Sequence, residues 1–142
     1  MRAFLDTNVL IDYLEKDRPS ATASSLIWDA ARNHHLEVFV TTQSILDMFY
    51  IVSDTQKDRE AVYQFIHWMV HHINVDSIGS QDIMHAMRSP HADLEDNAQL
   101  AYAEMRGCDV VVTNDKKILN RTNLRPMRAM TPEQFVDKMR IQ

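Results

Sequence analysis

Aspartates stand beside short apolar segments at four separate places in this chain: Asp6, Asp47, the pair Asp93 and Asp96, and Asp115. Carboxylates gathered in one cleft repel each other, so their pKa values rise and become coupled. The counter-charge that suits such oxygen donors is Mg²⁺ or Mn²⁺ rather than zinc. A cation of this kind can activate water and stabilise an in-line displacement at phosphorus. The pattern therefore predicts metal-dependent phosphodiester hydrolysis, if the fold brings these side chains together.

The apolar segments that accompany the aspartates alternate with helical patterns. We predict strands at residues 3–5, 37–40, 73–75, 109–113 and 126–130. We predict helices at residues 9–14, 20–33, 44–53, 58–70, 80–87 and 93–106, and a last helix that begins near residue 131. This alternation is typical of a parallel sheet with right-handed crossovers. The expected fold class is α/β: a single domain over residues 1–142, with three α/β/α layers around a central, mostly parallel twisted sheet of four to five strands.

A parallel sheet would bring the aspartates to one edge, because ligands of such sheets bind outside the carboxyl ends of the strands. Asp6 and Asp115 follow the first and fourth predicted strands, and Asp47 lies in the first turn of the helix after the second. Each also has a structural explanation, as a helix-dipole partner or a turn residue. Asp47 lies within an otherwise apolar run at residues 45–52, where an unpaired charge is costly. We therefore expect these aspartates to converge.

The helix before the fourth strand contributes two more candidate ligands. Asp93 and Asp96 are three residues apart, so they share one helix face, whereas Glu95 is expected on the opposite side of the helix from Asp93. Asp93 is also a plausible N-cap of this helix. We expect Asp93 and Asp96 to join the other acids.

Composition excludes several other classes of protein. No apolar run approaches the length of a membrane span, and the single cysteine, Cys108, fits a reducing cytoplasm. Two glycines and no glycine-rich phosphate motif argue against a nucleotide-binding loop. Residues 1–115 carry a net charge of −10 and residues 116–142 a net charge of +5. The basic stretch, including Lys116, Lys117 and Arg121, could hold RNA phosphates beside the acids, although a solvated surface is equally expected.

The order and spacing of these motifs resemble a PIN-domain ribonuclease, and among those the single-domain VapC-like toxins of toxin–antitoxin pairs. The matching stretches are residues 4–10 (FLDTNVL), the helix that carries Asp47, residues 93–96 (DLED) with Ala98 and residues 101–103 (AYA), and residues 109–115 (DVVVTND). Together they cover nearly the whole chain. The family more often has glutamate where this chain has Asp47.

The resemblance implies an acidic Mg²⁺ pocket that cuts RNA and leaves a 5′-phosphate and a 3′-hydroxyl. Asp6, Asp96 and Asp115 match acids of the family pocket, and Asp93 matches a frequent accessory acid; with Asp47, they are the predicted catalytic and metal-binding residues. The residues that match the family's orienting polar groups are Thr7, Asn8, Thr113 and Asn114. The resemblance also implies a cytoplasmic homodimer and a small antitoxin protein as partner.

Two other functions remain open from the sequence. The aspartate at position 47 motivates a non-catalytic RNA- or protein-binding module on a degenerate PIN fold. A phosphoacceptor domain of the receiver type also gathers aspartates at strand ends. That chemistry expects paired acids after the first strand, but Asp6 is followed by Thr7 and Asn8. The paired histidines, His67 and His71, lack a third zinc ligand and are expected on a solvated helix face.

Overall fold

The computed structural model describes residues 1–53, 58–121 and 124–141. Within these residues, five strands form one parallel sheet in the order β3-β2-β1-β4-β5. The strands are β1 (Arg2–Leu5), β2 (Glu37–Thr41), β3 (Asn74–Asp76), β4 (Val110–Val112) and β5 (Arg128–Met130). The helices are α1 (Thr7–Leu14), α2 (Ala21–Arg32), α3 (Thr42–Ser53), α4 (Arg59–His72), α5 (Ser80–Ala86), α6 (Leu94–Met105), α7 (Lys116–Leu119) and α8 (Pro132–Ile141). The predicted α/β fold class is confirmed.

Helices cover both faces of the sheet. Successive side chains of each strand point to opposite faces, so each strand contributes to the packing on both. Ala3 and Leu5 of β1 pack into a core with α1–α4 and α8, whereas Phe4 packs on the opposite face. There Phe4 meets Tyr102 of α6 at a ring-centroid distance of 5.8 Å. Helix α5 packs on α6, so the second face carries two helical layers at that point. All three strands at the centre of the sheet, β2, β1 and β4, are therefore buried on both sides.

Several helices begin where polar side chains satisfy their first backbone N–H groups. Helix α3 begins at Thr42, two residues before the predicted start, because Thr41 Oγ1 accepts a hydrogen bond from the backbone of Ser44 at 3.0 Å. Helix α1 also begins two residues early, at Thr7, because Asp6 caps it. The short helix α7 was not predicted. Gly107 adopts a positive φ of 70° just after α6, as a glycine at the end of a helix commonly does.

None of the helices in the described ranges combines the length and apolar character needed to cross a bilayer.

Candidate active site

Asp6 lies at the carboxyl end of the central strand and is 8% exposed. Its Oδ1 accepts a hydrogen bond from the backbone of Thr7 at 2.7 Å. Its Oδ2 accepts from Thr113 Oγ1 at 2.7 Å and from Asn8 Nδ2 at 3.2 Å. Burial raises the pKa of Asp6 despite these hydrogen bonds, and the negative charge of Asp115 adds to the rise. The carboxylate is thus fixed in position and has an environment that favours a cation nearby.

Asp115 follows the neighbouring strand β4 and is tied to the same polar group. The backbone N–H of Asp115 donates to Thr113 Oγ1 at 2.9 Å, so one hydroxyl links Asp6 and Asp115. Asp115 Oδ1 caps α7 by accepting from the backbone of Lys117 at 2.9 Å. Asn8 Oδ1 accepts from the backbone of Asn114 at 3.2 Å, which joins the two strand ends a second time. Asp115 lines the same cleft as Asp6.

Asp93 and Asp96 belong to the start of α6, as predicted. Asp93 is the N-cap and accepts from the backbone of Asp96 at 3.1 Å. Oδ2 of Asp96 is buried and has no hydrogen-bond partner among the described residues. Burial and the charges of Asp93 and Asp115 raise the pKa of Asp96. The pKa of Asp93 is lowered, first by its hydrogen bond from the backbone of Asp96 and then by that from Lys117.

A lysine lies between these two acids, which sequence reasoning did not anticipate. Lys117 Nζ is 3.2 Å from Asp93 Oδ2 and 3.8 Å from Asp96 Oδ2. From the sequence, a divalent cation was expected as the counter-charge of the acids, and Lys117 was expected to contact RNA phosphates. In the structure Lys117 supplies part of that counter-charge.

Asp47 forms the rim of the same cleft, across from Asp6. Its Oδ1 accepts from Gln43 Nε2, one turn earlier in α3, at 3.0 Å. Asp47 is half-buried, so it does not carry the unpaired buried charge that its apolar neighbours in sequence suggested. The cleft has a volume of about 410 Å³. It is lined by Asp6, Thr7, Asp47, Tyr50, Ile51, Glu95, Asp96, Gln99 and Asp115.

Asp93 was expected to join the other acids, but it does not line the cleft, because it caps α6 and pairs with Lys117 instead. Glu95, which was expected on the opposite side of α6 from Asp93, lines the cleft together with Asp96. Gln99, one turn after Glu95, lines the cleft too. The i, i+4 spacing of these two residues was the signal in the sequence that could have identified them.

A second group of polar residues supports the strand ends from behind. Asn114 Nδ2 donates to Asp12 Oδ2 at 3.0 Å, and Asp12 is 2% exposed. Arg18 Nε donates to the other oxygen of Asp12 at 2.7 Å. On the opposite side, Thr7 Oγ1 donates to Ser44 Oγ at 3.0 Å, which connects α1 to α3. The roles of Thr7, Asn8, Thr113 and Asn114 are therefore hydrogen-bonding ones, and Asp12, Arg18 and Ser44 extend the network.

The predicted RNA-binding cations lie in different surroundings. Lys116 is exposed at the first position of α7. Arg121 Nη1 donates to Asn97 Oδ1 at 2.8 Å, beside Asp96. Arg121 also lines a larger hollow of about 870 Å³ with Arg125 and Arg128, and no carboxylate lines that hollow. We place the chemistry in the smaller cleft because the acids are there, whereas the larger hollow offers positive charge.

The donor set of the cleft suits a hard divalent cation. Carboxylate oxygens of Asp6, Asp96 and Asp115 face one space, and Asp96 Oδ2 is a buried acceptor with its hydrogen-bonding capacity unused. In the described ranges, no three or more His, Cys, Asp or Glu side chains are already gathered closely enough to hold a metal ion. Binding would therefore draw the carboxylates closer together. Asp96 and Asp47, with the fewest hydrogen bonds to the strand ends, have the most freedom to adjust.

Comparison with known proteins decides the family. The sequence model of the family described as PIN domain matches residues 2–117. The chain belongs to the PIN domain family. Ribonuclease VapC1 of Aquifex aeolicus is 20% identical in an alignment 142 residues long, and the alignment covers 96% of this chain and 94% of that relative.

Solved structures of the PIN fold agree with this assignment. VapC20 of Mycobacterium tuberculosis, a Sarcin-Ricin loop cleaving toxin, superposes with a TM-score of 0.64 at 13% identity, covering 87% of this chain and 99% of that chain. VapBC2 from Rickettsia felis, bound to a DNA fragment from its promoter, gives 0.62 at 14% identity, covering 92% and 99%. A toxin–antitoxin complex from Klebsiella pneumoniae gives 0.63 at 19% identity, covering 92% and 97%. At these identities the likeness establishes the fold.

Proposed function

We propose that this PIN-domain protein is a metal-dependent endoribonuclease that acts as the toxin of a toxin–antitoxin pair. The observation that carries the proposal is the cleft at the carboxyl end of the parallel sheet, where Asp6, Asp47, Asp96 and Asp115 arrive from four different elements. The match to the PIN domain family, together with a relative named as a ribonuclease and a similar structure of a Sarcin-Ricin loop cleaving toxin, supports the same reaction.

The carboxylates would hold Mg²⁺ or Mn²⁺, with Asp6, Asp96 and Asp115 as the main ligands and Asp47 and Asp93 in support. Bound there, the ion supplies a Lewis acid for water and for the phosphate oxygens. Thr113 and Asn8 fix the Asp6 carboxylate by hydrogen bonds, so it is already held in place at the cleft before substrate arrives. Thr113 also holds the backbone of Asp115, which keeps the two carboxylates in register.

Phosphates of RNA flanking the cleft would meet the basic residues that follow Asp115. Lys116 is free in solvent at the start of α7, and Lys117 stands above Asp93 and Asp96. Arg121, Arg125 and Arg128 line the adjoining hollow without a carboxylate among them. Positive charge beside an acidic cleft attracts a polyanion at the flank while leaving the centre to the cation. This arrangement suits one RNA strand that crosses the cleft and continues over the basic side.

The test is cleavage of RNA by the purified protein with Mg²⁺, comparing wild type with Asp6→Asn and Asp115→Asn. We expect each variant to lose more than about 100-fold in rate, since even outer-shell partners of a metal are typically worth 10–100-fold. Asp137→Asn is the matched control, because Asp137 is exposed on α8, outside the cleft. Wild-type cleavage rates in both cleft variants would contradict the proposal. So would the absence of RNA cleavage by the wild type, or cleavage that persists when a chelator removes the metal.

The proposed biological setting is the cytoplasm, with a small antitoxin protein and a second copy of this chain as partners. The VapBC pair and the toxin–antitoxin complex among the similar structures support the antitoxin. The neighbouring reading frame should then encode a small DNA-binding protein, and co-expression with it should suppress RNA cleavage. Light scattering of the purified protein should give the mass of a dimer; a monomer mass would contradict that part of the proposal.

A further inference from the structure

Within the described parts of the chain, Lys117 is the basic side chain that forms ion pairs with carboxylates of the cleft. Its Nζ lies 3.2 Å from Asp93 Oδ2 and 3.8 Å from Asp96 Oδ2. Its backbone N–H donates to Asp115 Oδ1 at 2.9 Å. Lys117 thus contacts three acids, one through its backbone and two through its ammonium.

Building on the proposed function, we propose that the Lys117 ammonium takes the place of a second divalent cation. The cleft then binds a single divalent ion, on the side formed by Asp6, Asp96 and Asp115. The second positive charge that faces the RNA phosphate is then the Lys117 ammonium, a group of the protein itself instead of a second bound ion.

The position of the ammonium carries this proposal. Nuclease sites that hold two metals place them roughly 3.5–4 Å apart and share carboxylates between them. A second ion here would need Asp93 Oδ2 and a share of Asp96 Oδ2, and Lys117 Nζ already lies 3.2 Å from the first and 3.8 Å from the second. Asp93 lies beyond the residues that line the cleft, so its carboxylate is available to the lysine. One cation position is therefore occupied by the chain.

Contacts on two sides hold Lys117 at that position: its ammonium pairs with Asp93 and Asp96, and its backbone N–H donates to Asp115 Oδ1. Its side chain is 68% exposed, so the ammonium also faces solvent, from which the phosphate would approach. A flexible four-carbon stem lets the ammonium contact an incoming oxygen without moving α7.

The adjacent lysine provides a matched comparison. Lys116 has the same chemistry one residue earlier, but it is exposed and makes no ion pair with a carboxylate in the described ranges. Removing the charge at position 116 changes the net charge of the protein equally while leaving the cleft acids as they are. The difference between the two positions isolates the contact with Asp93 and Asp96.

The experiment counts bound Mn²⁺ by calorimetry and by electron paramagnetic resonance, after removal of endogenous metal with a chelator. Wild type, Lys116→Met and Lys117→Arg are expected to bind one ion. Lys117→Met is expected to bind two, the first about tenfold more tightly because a nearby positive charge has been removed. Cleavage by Lys117→Met should correspondingly change from a first-power to a second-power dependence on metal concentration.

Two results would overturn the proposal: two ions in the wild type, or one ion in Lys117→Met bound as in the wild type. If these results come with RNA cleavage that depends on Asp6, the nuclease function stands and the role of Lys117 is wrong. A wild-type protein that neither binds Mn²⁺ nor cleaves RNA would overturn both proposals together.

Discussion

The acidic cleft has two sides that are built differently. On the sheet side, Asp6 and Asp115 follow strands β1 and β4, and Thr113 and Asn8 connect them by hydrogen bonds of 2.7–3.4 Å. On the helix side, Asp47 accepts its hydrogen bond from Gln43 in its own helix. Asp96 has a buried oxygen without a hydrogen-bond partner in the described part of the chain.

The difference shows which side depends on a ligand. On the sheet side, hydrogen bonds from the chain already hold both oxygens of Asp6 and one oxygen of Asp115, so the geometry of that side does not depend on an ion. The helix side leaves acceptor capacity unused, and buried polar groups in that condition are costly. We infer that the sheet side sets the position of the site and that the helix side completes it when a cation is bound.

Among variants that keep the Asp6 and Asp115 carboxylates, the largest effect is expected at Thr113, on the sheet side of the cleft. Thr113→Val keeps the volume of a fully buried side chain but removes the hydroxyl that donates to Asp6 and accepts from Asp115. The loss should cost about 1–3 kcal/mol in the free energy of unfolding. RNA cleavage should fall about 10–100-fold, as for other outer-shell partners. Denaturant titration and cleavage rates measure the two effects.

Thr22→Val serves as the control for Thr113→Val, because Thr22 is exposed on α2. If Thr113→Val retained wild-type stability and cleavage, the sheet side would not be the fixed half of the cleft.

A smaller effect is expected from the helix side at Asp47. Asp47→Asn should lower Mn²⁺ affinity by about tenfold, at the low end for groups that support a metal, because Asp47 lies at the rim. Asp47→Glu, which extends the carboxylate by one methylene, should bind Mn²⁺ at least as tightly as wild type. Calorimetry measures both. If Asp47→Asn lowered the rate of RNA cleavage as severely as is expected of Asp6→Asn, the two sides of the cleft would contribute equally.

The smallest effect is a pH dependence that originates behind the sheet side. Burial raises the pKa of Asp12 above the ordinary value of 3.8, although Arg18 and Asn114 act in the opposite direction and Glu133 adds to the rise. The folded state therefore binds this proton more tightly than the unfolded state does. The stabilisation is present below pH 3.8 and is lost as the pH rises through the raised pKa.

Asp12→Asn tests this directly, because asparagine does not titrate. The unfolding free energy of wild type minus that of Asp12→Asn should fall as the pH rises above 3.8. Denaturant titrations over pH 4–7 in chelator measure it. A difference that grows with pH would mean that the pairing of Asp12 with Arg18 outweighs burial.

Sequence reasoning succeeded where topology alone decides a position. Asp6 and Asp115 must lie at one edge because each follows a parallel strand, and the continuous apolar run at residues 110–112 marks an inner strand. The same logic predicted a sheet of four to five strands, and the described residues form five. That prediction required only the alternation of strands and helices, which local patterns in the sequence indicate.

Reasoning from sequence failed where side chains from distant segments choose partners. The ion pair between Lys117 and Asp93 spans 24 residues, and no local pattern specifies it. The bond between Asn114 and Asp12 spans 102 residues. Asp93 was expected among the cleft acids, but it caps α6 and pairs with Lys117 outside the residues that line the cleft. These contacts depend on how helices pack on the sheet, which spacing along the chain does not determine.

The central claim is that carboxylates from both sides of the cleft serve one cation. The most direct measurement is a crystal structure of the protein soaked in Mn²⁺, with anomalous data that locate the metal. We predict one peak among the carboxylates of Asp6, Asp96 and Asp115, with Lys117 Nζ still beside Asp93. A peak elsewhere on the surface, or none at saturating Mn²⁺, would contradict the account.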